Sequence, residues 1–80
     1  ALPELIVAAR SPEKGVRCAA VRAIGRFHLA AAPAVPVLIQ CLADREWEVR
    51  NEAADTLSRI GPPAKPAIPA LRKLAEESPD

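Results

Sequence analysis

The chain has no tyrosine and no methionine, and Phe27 and Trp47 are its only aromatic residues. Half of its 80 residues are nonetheless hydrophobic, so a core has to be built from Ala, Val, Leu and Ile. Small side chains of this kind suit helices packed at short interaxial distance. Cysteine is scarce as well: Cys18 and Cys41 form neither a CxxC pair nor a zinc pattern, and two are too few for a disulfide scaffold. Cys41 is expected as a small core hydrophobe and Cys18 as a partly exposed free thiol. No apolar run of transmembrane length stands out, nor a charged-then-apolar segment of the kind that opens a secretory signal. Charge of one sign is also missing. The formal net charge of +1 argues against a strongly basic nucleic-acid binder, even though residues 1–40 carry +3 and residues 41–80 carry −2. No catalytic constellation and no cofactor motif stands out, which leads us to expect a protein that is not an enzyme. The chain opens on Ala1 rather than Met, and the expectation is a processed or excised piece of a longer array.

What the chain does have is a repeat. Residues 16–47 and 49–80 align without a gap at a shift of 33, pairing Val16 with Val49, Arg17 with Arg50, Ala20 with Ala53, Arg26 with Arg59, Pro33 with Pro66 and Pro36 with Pro69. Apolar swaps such as Ile24/Leu57 and Phe27/Ile60 fill the positions between. A fixed period of this length is the mark of a solenoid, in which each unit is too small to bury its own apolar face and stacks on its neighbours. The predicted fold is therefore an all-α superhelix of two full helical hairpins plus a preceding half unit, in one small domain burying about 60% of its unfolded surface.

Helices are predicted at about 2–10, 13–29, 33–43, 46–60 and 65–77. Pro3 suits the start of the first, and Ser11 is a candidate N-cap for the second. The predicted core faces are Val16, Ala20, Ile24 and Phe27; then Val35, Leu38, Ile39 and Leu42; then Val49, Ala53, Leu57 and Ile60, each spaced three or four residues apart where a helix turns one face inward. Gly61-Pro62-Pro63 should stop the fourth helix, since Gly reaches positive φ and Pro cannot continue the hydrogen-bond ladder.

The stretches VRCAAVRAIGRF and VRNEAADTLSRIG, followed by APAVPVLIQCL and KPAIPALRKLA, resemble HEAT repeats, in particular the short HEAT-like units of the phycobilisome-lyase type. The resemblance implies a scaffold or adaptor that binds a protein partner. The rarer activities of the class lack their residues here. A lone His28 followed by Leu29 cannot supply the His-Glu pairs of a di-iron site, nothing points to a tetrapyrrole pocket, and a near-neutral chain with one Trp does not provide a basic, aromatic DNA-reading surface.

The same resemblance implies that the second helix of each pair lines a concave surface, which makes Glu4, Val37 and Ala70, with Val7, Gln40 and Lys73 and the neighbouring Arg72, the candidate protein-binding residues. Trp47 joins them as a candidate anchor, Trp being a common hot-spot residue, or else as a half-buried lid on the seam between units. Arg17 and Arg50 are expected to tie one unit to the next through turn acceptors, with Arg50 bonding Asp44 and Arg17 left with Ser11 or main chain. The competing expectations are a nucleic-acid binder using Arg10, Lys14, Arg22 and Arg26, and an accessory repeat domain of a larger enzyme. The first conflicts with Asp55 standing where Arg22 stands one unit earlier, because a groove that follows a phosphate backbone repeats its charge. His28 is expected to cap the end of its helix. Leu2, Leu5, Ile6, Ile68 and Leu71 belong to apolar faces open for self-association. A cytoplasmic location is the expectation, with no membrane.

Overall fold

The computed structural model describes residues 2–77. Five α-helices follow one another, α1 (Leu2–Ala8), α2 (Lys14–Ile24), α3 (Val35–Cys41), α4 (Trp47–Ile60) and α5 (Ile68–Glu77), with 3-10 segments at Gly25–Ala34 and Pro62–Ala67. There is no strand among the described residues. The helices form a slab of 35 × 29 × 15 Å in which α2 packs between α1 and α4, and α4 packs on both α2 and α3.

The prolines explain where the α-helices begin. Pro33 and Pro66, equivalent positions of the two units, lie inside the 3-10 segments. A proline lacks the N–H for the helical ladder and pushes its predecessor away from the α region, so regular helix starts only beyond it. The helices predicted at 13–29, 33–43 and 65–77 are corrected accordingly. The first ends as an α-helix at Ile24, the second starts at Val35, and the third starts at Ile68 after a 3-10 run.

His28 divides the 3-10 segment that follows α2, with φ 50° and ψ −125°. Taken by length and composition, residues 14–41 would pass for a membrane-crossing helix, with mean hydropathy 1.3 over the best window. The break at His28 means that those residues do not form one straight rod, and 44% of that window is buried inside the protein.

The core is aliphatic, as the composition requires. Ile24, Leu38, Leu57, Ile60, Val21 and Val49 are all essentially inaccessible to solvent, each contributing about 1.5–3 kcal/mol by leaving water. The expected faces of α3 and α4 are inward, except that Ile39 is only partly buried. On α2 the expectation fails at two positions: Val16 and Phe27 are exposed, and the buried stripe is Arg17, Ala20, Val21 and Ile24. Val16 and its equivalent Val49 differ because α4 has both α2 and α3 to cover it, whereas on the matching side α2 meets only α1. Phe27 lies in the 3-10 segment, whose three residues per turn carry it off a stripe extrapolated at 3.6. Besides Arg17, the polar Thr56 is buried among the described residues: its hydroxyl donates to the Val21 carbonyl at 3.1 Å, joining α4 to α2.

Candidate functional site

The two inter-unit turns are built alike. Ser11 Oγ accepts the Glu13 N–H at 3.1 Å, and Asp44 Oδ1 accepts the Glu46 N–H at 2.9 Å, so each turn is closed by a side-chain oxygen two residues before the N-cap of the following helix. Ser11 is thus a turn-closing residue, correcting its expected place as N-cap, which Glu13 occupies without a side-chain bond. Each turn is also held by the arginine six residues further on. Arg17 Nη1 donates to the Ser11 carbonyl at 3.0 Å and also to that of Pro12, and Arg50 Nη1 donates to the Asp44 carbonyl at 2.7 Å.

The carboxylate of Asp44 goes elsewhere. It takes two bonds from Arg17, Nε to Oδ2 at 2.9 Å and Nη2 to Oδ1 at 3.1 Å, in the forked arrangement a guanidinium offers a carboxylate. The expected bonds from Arg50 to Asp44 and from Arg17 to the Ser11 main chain are both present, but the Asp44 carboxylate, expected for Arg50, is held by Arg17 instead. Stacking places the arginine of one unit beside the turn that opens the next, so the side chain of Asp44 faces backwards to Arg17 and only its carbonyl faces Arg50. Burial favours the neutral form of Asp44, but the Glu46 N–H, the Arg17 bonds and the charges of Arg17 and Arg45 outweigh it and hold the carboxyl below its ordinary value. The hydrogen bond from Arg17 to Asp44 in turn raises the guanidinium pKa.

The second helices carry a mixed surface. Glu4, Val7, Gln40, Arg72 and Lys73 are exposed, and Ala70 is half-buried. Val37 departs from its expected place: it is 2% exposed and belongs to the core, so it cannot be a contact residue on that face. Between α3 and α5 a shallow cleft of about 110 Å³ is lined by Ile39, Leu42, Ala70, Lys73 and Leu74. Trp47 is not brought to this cleft. It is 60% exposed, more than a half-buried lid would be, and borders a separate groove of about 560 Å³ between α2 and α4 with Cys18, Lys14 and Arg22.

In that groove two of the four residues of the expected basic ridge are paired with carboxylates. Lys14 Nζ meets Glu48 Oε2 at 3.0 Å, and Arg22 reaches Glu52 Oε2 through Nη2 at 2.6 Å and through Nε at 3.1 Å. Glu48 and Glu52 were not singled out from the sequence, because their partners lie one unit back at spacings of 34 and 30 residues that no single-helix rule covers. Arg10 and Arg26 are exposed and have no ion pair among the described residues. His28, expected to cap its helix, lies four residues beyond the end of α2 and instead kinks the 3-10 segment through its backbone conformation.

Burial, with the charges of Glu52 and Glu48, pushes the Cys18 thiol up, and burial with Asp44 does the same to Cys41, so both sulfurs are held as thiols rather than nucleophilic thiolates. No group of His, Cys, Asp and Glu suited to a metal ion occurs among the described residues.

Neither the curated proteins nor the solved structures gave a match to this chain. A family model described as HEAT repeats matches residues 2–80. With two like-built turns, an arginine bound to each, and paired helices stacked on a shared aliphatic core, the chain belongs to the HEAT-repeat family.

Proposed function

We propose that this chain is a non-enzymatic interaction module that engages a protein partner along the face formed by α3 and α5, with Gln40, Lys73, Arg72 and the half-buried Ala70 as contact residues and Val7 and Glu4 extending the face onto α1. HEAT repeats are commonly protein-interaction scaffolds, and the units here resemble the short phycobilisome-lyase type. The observation that carries the proposal is the cleft between α3 and α5, where apolar Ile39, Leu42 and Leu74 sit beside the charged Lys73. An apolar centre with a polar rim is the anatomy of a protein interface. The nucleic-acid alternative loses support because Lys14 and Arg22 already have carboxylate partners.

The test is site-specific photo-cross-linking in lysate of the source cells, with the photoreactive residue at Gln40 or Lys73 and, for comparison, at Asn51 on α4. One discrete protein adduct from the first two positions and none from Asn51 is expected. Adducts from Asn51 alone, or to nucleic acid, would overturn the reading. Self-association is a further part of it: Leu2, Leu5, Ile6 and Leu71 are only partly buried and Ile68 is 49% exposed. Sedimentation at rising concentration should show reversible growth in mass.

A further inference from the structure

At the edge of the slab, where the two inter-unit turns come side by side, lies an open depression of about 400 Å³. Arg10, Gln40 and Arg45 stand around it with exposed side chains, and the Arg17–Asp44 pair lies at its back. We propose that this depression binds a carboxylate-bearing segment of a partner protein, with Arg10 and Arg45 as the recognising cations. The proposal deepens the interaction reading above, since Gln40 belongs to both surfaces.

Charge supports it first. The lining holds three arginines against one carboxylate, a formal +2 in a chain whose whole formal charge is +1. Arg17 spends its forked edge on Asp44 and Nη1 on the carbonyls of Ser11 and Pro12, so it adds field but little free donor capacity. Arg10 and Arg45, by contrast, have no ion pair among the described residues. Arg45 helps lower the carboxyl of its sequence neighbour Asp44, and Arg10 opposes the upward shift of Cys41. Two guanidinium forks at one depression are suited to carboxylates, which they bind through paired N–H donors.

Shape and repetition select a peptide as the source of those carboxylates. The exposed Pro12 forms an apolar wall over a floor closed by the nearly buried Ala9, Val37 and Cys41, which suits an aliphatic side chain beside an acidic one. The cations do not recur along the array. One unit on from Arg10 stands Ala43, and one unit back from Arg45 stands Pro12. A phosphate backbone needs a track of charge, whereas this is a single cluster.

The experiment is fluorescence anisotropy with a fluorescein-labelled peptide, Ser-Asp-Leu-Asp-Leu-Ser, and its Asn-for-Asp counterpart. The proteins are the parent chain, the double variant Arg10→Glu/Arg45→Glu, and Arg26→Glu/Lys65→Glu, which changes net charge equally at exposed sites away from the depression. The parent is expected to bind the Asp peptide about tenfold more tightly than the Asn peptide. Arg10→Glu/Arg45→Glu should abolish that preference, and Arg26→Glu/Lys65→Glu should keep it. Equal loss in both variants would reduce the effect to net charge and overturn the proposal, as would no discrimination by the parent, or displacement of the peptide by low-millimolar inorganic phosphate. Circular dichroism confirms that the variants fold. If the photo-adducts at Gln40 and Lys73 persist unchanged in Arg10→Glu/Arg45→Glu, the interaction face stands and this pocket assignment falls.

Discussion

His28 and Gly61 occupy equivalent places in successive units and hold nearly the same backbone conformation, φ 50° and ψ −125° in one and φ 80° and ψ −136° in the other. Glycine adopts this region freely, while a side chain there is strained, by about 1–3 kcal/mol. His28→Gly relieves that strain but returns some backbone entropy to the unfolded chain. We expect a net gain of about 1 kcal/mol and a higher Tm by calorimetry, with the reverse for Gly61→Ala. A His28→Gly variant that melts lower than the parent would mean that the ring makes a compensating contact.

Arg17 and Asp44 should matter more to stability than Arg50. Asp44→Ala removes both Arg17 bonds and the turn-closing bond from the Glu46 N–H, and leaves a buried guanidinium edge unpaired, for a cost of about 2–3 kcal/mol by urea titration. Arg17→Ala is expected to lower Tm further than Arg50→Ala, since Arg50 gives up one bond to a carbonyl. The opposite order would return the main inter-unit tie to Arg50.

The same carboxylate sets an acid limit. Its folded pKa lies below its unfolded value, so its contribution is fully present above the ordinary carboxylate range and is lost as pH falls through the depressed folded pKa. Urea midpoints should therefore drop below about pH 4. They should do so less steeply in Asp44→Asn, which starts from a lower plateau. A parallel acid limb in the variant would place the proton uptake elsewhere.

Thr56→Val tests the bond that crosses the core from α4 to α2. The change keeps volume but removes the donor to Val21, whose carbonyl also accepts the Gly25 N–H. A loss of about 1 kcal/mol is expected, with Thr56→Ala costing more because it also opens a void. An unchanged Tm in Thr56→Val would make the hydroxyl dispensable.

Exposed ion pairs should behave differently from the Arg17 node. Arg22 and Lys14 are largely solvated, so Arg22→Ala and Lys14→Ala should leave Tm nearly unchanged at 0.5 M salt. Trp47 fluorescence should be readily quenched by iodide in the parent chain, given its exposure.

Local pattern by itself determined much of this protein. The 33-residue period, the Gly61-Pro62-Pro63 stop and the inward stripe of α4 all follow from residue pattern within one unit, which needs no knowledge of the neighbours. Tertiary structure decided the rest. The alignment equates Arg17 with Arg50 and Val16 with Val49, yet one arginine holds a carboxylate and the other a carbonyl, and one valine is exposed and the other buried. The partners that make the difference come from the adjoining unit, at offsets such as the 27 residues from Arg17 to Asp44. Equivalence within a unit says nothing about which non-equivalent positions face each other once units stack. The Arg10–Arg45 depression arises the same way, from two turns far apart in sequence that packing sets side by side.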